Sequence, residues 1–220
     1  MCFCDNINVD SRSDPVRKFP NRCIDRNIFP NFIVSSDLTH HINNDDIRSD
    51  FLKVKEDDEG MKRTNVMGWH SSVMNTKTSD SPHLNQAVNL TKEFVNEFLE
   101  EEGTILHVDY LEYWLMENGP GAYNMLHNHG KVDLIGVYYI DVPPNADGMT
   151  LIRTDAFTHT TLCNSAKSPL YSGGFTIDAI VGRVYIMPGH LYHYVNSHES
   201  EESRRSLVFN IVCAPKSKDS

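Results

Sequence analysis

The sequence predicts a mainly β protein in which two sheets form a jelly roll and a helical layer supports them. Two observations lead to this fold class. One amphipathic helix is followed by about eight short β-rich runs, and turns rich in Gly, Pro and Asn separate these runs. A series of strands behind a single helix is typical of sheets that pack on one another with the helix outside.

The helix is the best-defined local element. Its apolar residues recur at the spacing of one helical face. Ser81 stands at the N-cap, Pro82 occupies the first helical position and Gly103 follows the end. We therefore expect a helix over residues 82–102 that packs on a sheet.

The β-rich runs follow this helix, and turns containing Gly or Pro separate most of them. They cover residues 105–116, 123–129, 134–141, 149–153, 175–180, 183–187, 192–195 and 205–213. The connection at residues 154–171 is rich in Thr and Ser and has little apolar periodicity. A connection of this length inside a compact domain is usually functional, so we expect a loop or lid there.

The chain of 220 residues and 25.1 kDa is long enough for one sizeable core. Residues 1–80 are polar and are interrupted by Pro15, Pro20 and Pro30. We expect an irregular N-terminal arm over residues 1–80 that packs on the core, a catalytic β domain over residues 81–214 and a tail over 215–220.

Composition excludes several classes of protein. No run approaches the roughly 18 apolar residues that a membrane span needs, and the N-terminus lacks the pattern of a secretory signal, so we expect a cytoplasmic protein. The net charge of −10 disfavours nucleic acid as a partner. The five cysteines are scattered, which indicates free thiols. The oligomeric state stays open.

A histidine pair is the first candidate for chemistry. His127 and His129 stand two apart in a strand-like run, and the period of a strand places both imidazoles on one face. They could share one metal ion, since imidazole suits iron, zinc, copper or nickel. The alternative is that they are two surface histidines on an edge strand.

The residues that would complete such a site lie further along the chain. A third ligand should come from residues 188–193, which contain two histidines behind a Pro-Gly turn. Arg204 follows on the next strand; its guanidinium can hold a carboxylate in two hydrogen bonds, and Ser206 shares its face. These residues imply a carboxylate-bearing organic acid as ligand. Otherwise, Arg204 would form a surface ion pair with Glu201 or Glu202.

Taken together, these motifs resemble the 2-oxoglutarate- and iron(II)-dependent oxygenase superfamily. The most similar group is prolyl-hydroxylase-like and is found in marine phages and bacteria. The resemblance extends from Trp69 to Val212, and the residues that carry it are Trp114, Gly121, Asn124, His127-x-His129, Gly136-Val137-Tyr138-Tyr139, Pro188, His193, Arg204-x-Ser206 and Phe209-Asn210.

The resemblance implies a double-stranded β-helix whose mouth holds Fe(II), with His127 as the first ligand and His193 as the distal ligand. It also implies that Arg204 and Ser206 bind the far carboxylate of 2-oxoglutarate. Such an enzyme uses dioxygen to hydroxylate its substrate and releases succinate and CO2; here we expect an unidentified peptide or small molecule. The pocket wall would include Asn124, Tyr138 and Tyr139.

One residue departs from the pattern of the superfamily. His129 occupies the position where a carboxylate usually completes the triad, and Asp133 is the nearby carboxylate that could replace it. A neutral ligand removes one negative charge, which should weaken Fe(II) binding. We expect three histidines as ligands, with Asp133 as the alternative to His129.

The same residues also approximate the cupin pattern, which shares the fold. Its first half would comprise Gly121, His127, His129 and Asp133, and its second half Gly182, Pro188 and His193. A cupin could be a metal enzyme that does not use 2-oxoglutarate. A third possibility is a non-catalytic, metal-binding structural module. Only the oxygenase interpretation requires Arg204 and Ser206.

Overall fold

The computed structural model describes residues 31–152 and 174–216. From Phe32 onward the described residues form one compact unit. The elements within the described ranges are β1 (Val34–Asp37), α1 (Asn44–Asp57), β2 (Asn65–Val66), β3 (Trp69–His70), α2 (Pro82–Glu101), β4 (Leu106–Asn118), β5 (Tyr123–His127), β6 (Leu134–Asp141), β7 (Met149–Ile152), β8 (Gly174–Thr176), β9 (Arg183–Pro188), β10 (Tyr192–Val195) and β11 (Arg204–Pro215).

The strands form two antiparallel sheets. The major sheet has the order β1-β9-β6-β11-β4-β3 and the minor sheet has the order β2-β5-β10-β7-β8. Met149 and Leu151 of the minor sheet pack in one apolar cluster with Val137 and Met187 of the major sheet, so the two sheets lie face to face. The predicted jelly-roll fold class is confirmed.

Strand β6 shows how the two faces of the major sheet are used. Seven of its eight residues are buried, because both of its faces are covered. Ile135, Val137 and Tyr139 face the minor sheet, whereas Tyr138 and Ile140 face the core under the helices. This alternation is the period of two expected for a strand, and it decides which side chains reach the site between the sheets.

Helix α2 confirms the predicted helix, with a buried face that includes Leu84, Val88 and Val95. Its N-cap residue is Ser81, as predicted, but the serine side chain makes no capping hydrogen bond. The carboxylate of Asp50 in α1 accepts a hydrogen bond from His83 N at 2.9 Å instead. A neighbouring helix therefore supplies the cap that the local sequence was expected to supply.

Each predicted β-rich run overlaps one of the strands β4 to β11. Residues 34–70 differ from the irregular arm expected for residues 1–80, since they form β1, α1, β2 and β3. Helix α1 buries only a narrow stripe that includes Ile47 and Phe51, and β2 and β3 are two residues long, so their periodicity was too weak to detect.

The proposed loop at 154–171, the arm over residues 1–30 and the end of the tail lie outside the described residues. Neither α1 nor α2 combines the length and apolar content of a membrane-spanning helix.

Candidate metal centre

Three histidines of the minor sheet and its following turn lie together between the sheets. One ring nitrogen from each of His127, His129 and His193 falls within 4.8 Å of the others. The ring centroids are 4.3 Å apart for His127 and His193, and 5.2 Å for each pair that includes His129. Within the described part of the chain, this is the cluster of side chains that could hold a metal ion.

A β-bulge aims His127 into this cluster. Along β10 the residues His193 and Val195 are two apart, but their partners on β5, His127 and Asn124, are three apart. The extra residue leaves Met125 and Leu126 both exposed, and it lets Asn124 and His127 both face inward. Without the bulge, the odd spacing of these two residues would place them on opposite faces.

His129 lies beyond the end of β5, in a turn. Its backbone N donates to Gly189 O at 2.8 Å, and Val132 N donates back to its carbonyl at 2.9 Å. The ring stacks on Trp114 with a centroid distance of 5.8 Å and an interplanar angle of 20°. Because strand geometry does not hold this ring, the stacking and its hydrogen bond to Asn210 orient it.

The hydrogen bonds of the rings determine which nitrogen is available. His127 Nδ1 lies 2.7 Å from Met125 O, and His193 Nδ1 lies 2.9 Å from Leu191 O. His129 Nδ1 lies 2.6 Å from Asn210 Oδ1. An oxygen acceptor requires the proton on Nδ1, so each neutral ring presents the lone pair of Nε2 to the cluster.

Burial keeps these rings neutral. It lowers the pKa of His127 and of His129, and it lowers the pKa of His193 to about 3, with a further contribution from the neighbouring histidines. Three neutral imidazoles with converging lone pairs are suitable donors for a divalent ion such as Fe(II). Nδ1 hydrogen bonds of this kind are usual for histidines that bind metals.

The alternative ligand Asp133 is not part of this group. Its Oδ2 accepts a hydrogen bond from Cys213 N at 2.8 Å, which ties the carboxylate to the end of β11. Of the two histidines in the 188–193 segment, His193 belongs to the cluster, whereas His190 is exposed. The structure therefore brings together the three-histidine set, and it does not bring in the acid of the cupin pattern.

Arg204 is buried in the same cavity, with 4% of its surface exposed. Nη1 donates to Asp147 O at 2.5 Å and Nη2 to Asn196 O at 3.1 Å. No carboxylate among the described residues forms an ion pair with it, so the surface pair with Glu201 or Glu202 is not found. A buried guanidinium that donates to neutral acceptors and has no carboxylate partner keeps its charge available for an anion.

Strand β11 places further residues beside this arginine. Ser206, Val208 and Asn210 alternate with residues that face the opposite side of the strand, and they line the cavity together with Arg204. Ser206 is buried. One strand thus carries the buried guanidinium at its start and the hydrogen-bond partner of His129 further along.

The cavity has a volume of about 510 Å³. Asn124 and Tyr139 line it, as predicted for the pocket wall. Tyr138, predicted beside them, lies on the opposite face of β6, where its hydroxyl donates to Asn44 Oδ1 at 2.9 Å. The correction follows from strand alternation, which sends adjacent residues to opposite faces.

Sequence reasoning missed several residues of the wall. His70 stacks on Trp114 with a centroid distance of 5.4 Å and an interplanar angle of 5°, so Trp114 is held between His70 and His129. Alternation along β4 from Trp114 would have predicted that Glu112 and Asn118 face the cavity, whereas no local sequence pattern marks His70. The other lining residues outside the predicted set include Arg63, Thr64, Val73, Met116 and Lys131.

Comparisons with known proteins agree with this geometry. Residues 112–210 match the family described as "Putative 2OG-Fe(II) oxygenase". No curated protein sequence matches the chain.

Solved structures similar to the chain include a prolyl-4-hydroxylase from Pseudomonas putida, with 12% identity, TM-score 0.58, and coverage of 82% of this chain and 91% of that chain. A prolyl hydroxylase from Trichoplax adhaerens, solved with a hypoxia inducible factor peptide fragment, has 8% identity, TM-score 0.59, and coverage of 82% and 83%. A viral collagen prolyl hydroxylase from Paramecium bursaria Chlorella virus-1, solved with 2-oxoglutarate, has 11% identity, TM-score 0.54, and coverage of 81% and 94%. At these identities the likeness shows a shared fold, the double-stranded β-helix.

Proposed function

We propose that this chain, a 2-oxoglutarate- and Fe(II)-dependent oxygenase by its match to that family over residues 112–210, binds iron through His127, His129 and His193. In the same proposal, Arg204 and Ser206 bind the far carboxylate of 2-oxoglutarate. One observation carries it: three imidazoles with free Nε2 lone pairs and a buried guanidinium without a carboxylate partner among the described residues line one cavity.

Iron, 2-oxoglutarate and dioxygen together supply the oxidation, in which decarboxylation of the keto acid to succinate and CO2 accompanies hydroxylation of a C–H bond. The role of the protein is to position the cosubstrate. Two backbone carbonyls fix the plane of the Arg204 guanidinium. The remaining N–H groups can therefore hold a carboxylate without a large loss of side-chain entropy.

Tyr139 closes the cavity beside Arg204. Its hydroxyl accepts a hydrogen bond from Met149 N at 3.1 Å, and burial raises the pKa of this hydroxyl. The group therefore stays protonated and can donate a hydrogen bond. Val137, Val195 and Val208 make the surrounding wall apolar, which limits water around a bound acid.

We propose a peptide or a small molecule as the substrate. The Trichoplax relative was solved with a peptide fragment, and the net charge of −10 disfavours a nucleic acid. The part of the cavity around His70 and Val73 lies outside the set assigned to 2-oxoglutarate and would receive this substrate.

The test is an anaerobic titration of the protein with Fe(II) and 2-oxoglutarate, following the weak visible charge-transfer absorption of the chelate. We expect the band in the wild type and its loss, or a much higher requirement for 2-oxoglutarate, in Arg204→Ala. Arg205→Ala is the matched control, because this neighbour points out of the cavity and is paired with Glu117 and Asp141. Succinate formation in air is the second readout.

A different outcome would favour a different class of protein. If the wild type binds the metal but gives neither the band nor succinate, 2-oxoglutarate is not the cosubstrate. The cupin-type enzyme or the structural metal module would then replace the oxygenase.

A further inference from the structure

We propose that Asn210 and Glu112 form a positioning relay that fixes the tautomer of His129 and supplies the negative charge that a three-histidine site lacks. The inference rests on the proposed function, because it takes His129 as a metal ligand. The relay is continuous in the structure: His129 Nδ1 lies 2.6 Å from Asn210 Oδ1, and Asn210 Nδ2 donates to Glu112 Oε1 at 2.9 Å.

The carboxylate determines which way the amide points. An amide side chain can present either its oxygen or its nitrogen to His129. A carboxylate accepts hydrogen bonds only, so Glu112 requires the amide nitrogen of Asn210 on its own side. The amide oxygen must then face His129.

The amide in turn determines where His129 carries its proton. With an oxygen at 2.6 Å from Nδ1, that nitrogen is the protonated one, and Nε2 keeps its lone pair for a metal. If the amide turned over, its N–H would face Nδ1, the proton would move to Nε2, and the ring could no longer bind a metal through Nε2. Glu112 thus acts on the metal site through two hydrogen bonds.

The charge of Glu112 is available for this role. Within the described ranges no Lys or Arg forms an ion pair with it, and its other oxygen accepts from Tyr110 Oη at 3.3 Å. The usual triad of the superfamily carries a carboxylate in direct contact with the metal. Here the carboxylate would be displaced outward by one imidazole and one amide, and it would stabilise the positive charge of a metal ion bound at His129 through a weaker, longer-range interaction.

The backbone makes this relay rigid. Asn210 and Glu112 are cross-strand partners on β11 and β4, which pair along nearly their whole length. Trp114 follows Glu112 on the same face and stacks on His129. Ring plane and ring tautomer are therefore set by neighbouring residues of one strand pair.

The test measures metal affinity, with Co(II) as the probe and a chelating indicator as competitor. Glu112→Gln removes the charge and also lets the amide turn over, because glutamine can present either end. We expect binding to weaken by about tenfold, the low end for residues that support metal ligands. Asp109→Asn removes one charge from an exposed position of the same strand and should leave affinity unchanged.

A double variant separates this relay from a general loss of structure. Asn210→Asp combined with Glu112→Gln keeps the net charge and moves the carboxylate into direct contact with His129 Nδ1, while the new glutamine can donate to it. We expect affinity to recover to the wild-type level or above it, which damage to the fold could not produce.

The inference is overturned if Glu112→Gln binds Co(II) as tightly as the wild type, or if the double variant binds no more tightly than Glu112→Gln alone. In both cases the wild type would still bind the metal and form the 2-oxoglutarate band, so the proposed function would stand. A wild type that binds no Co(II) would remove the proposed ligand set and the relay together.

Discussion

Arg204 and Arg205 are adjacent on β11 and have opposite surroundings. Arg204 points into the cavity, is 4% exposed and bonds to two backbone carbonyls. Arg205 points away from it and donates to Glu117 Oε2 at 2.6 Å and to Asp141 Oδ2 at 2.9 Å. The first guanidinium is available to a ligand, whereas the second belongs to an ion-pair network that joins three strands.

This contrast predicts the effect of a conservative change. Arg204→Lys keeps the positive charge but loses the planar pair of donors, so we expect the Kd for 2-oxoglutarate to rise by about tenfold, equivalent to one lost charged hydrogen bond. The titration of the charge-transfer band measures it. Arg205→Lys should leave this Kd unchanged, and an equal effect of both variants would contradict the assignment.

Two substitutions test which residues are the metal ligands. His129→Ala should abolish stoichiometric metal binding or weaken it by about 100-fold, because it removes one of three donors. Asp133→Asn should retain metal binding, since the Asp133 carboxylate accepts a hydrogen bond from Cys213 N and lies outside the cluster. Isothermal titration with Co(II) distinguishes them. Loss of binding in Asp133→Asn with retention in His129→Ala would reverse the assignment.

The two tyrosines of β6 should separate stability from cosubstrate binding. Tyr138→Phe removes the hydrogen bond to Asn44 and should lower the free energy of unfolding by about 1 kcal/mol without changing the Kd for 2-oxoglutarate. Tyr139→Phe should raise that Kd, because its hydroxyl lines the cavity. Denaturant unfolding and the band titration measure the two quantities, and a raised Kd in Tyr138→Phe would refute the placement.

The cap of α2 should make stability depend on pH. Burial raises the pKa of Asp50, but hydrogen bonds from the His83 backbone and from Lys53 outweigh it, so the net pKa lies below the ordinary value of an aspartate. A depressed pKa means that the carboxylate stabilises the fold at pH above about 3.9 and loses this effect as pH falls through the folded value.

Asp50→Asn should therefore cost about 1 kcal/mol at neutral pH, in the range for loss of a helix cap. The difference from wild type should shrink in acid below pH of about 3.9. Urea unfolding at several pH values measures it. A difference that stays constant from neutral pH into acid would show that the charge of Asp50 contributes nothing.

Strand alternation and the family resemblance predicted much of the site, but they did not predict the placement of every residue in it. His127 and Arg204 were predicted from their spacing and order and His193 from the family resemblance, and the structure brings all three to one cavity. Parity also shows that Tyr138 and Tyr139 cannot both line it, although it does not say which one does. Asn124 and His127 share a face only because of a bulge, which no local pattern marks.

Contacts between distant segments could not be predicted from the sequence. His70 reaches Trp114 because a two-residue strand pairs with β4 across more than forty intervening positions. The cap of α2 likewise comes from α1, which is too polar for its period to stand out. Such partners are determined by tertiary packing, and one sequence does not encode them in any local pattern.

The pairing of β11 with both β4 and β6 has a consequence for redesign. Insertion of a single residue after Arg204 would shift one end of the strand relative to the other, so that Ser206, Val208 and Asn210 would exchange faces with residues such as Leu207 and Phe209, which pack in the core under the helices. Substitutions along this strand can be studied one at a time, but its length cannot be changed by one residue. An engineered variant with a longer site would need its extra residues in the segment that precedes Arg204.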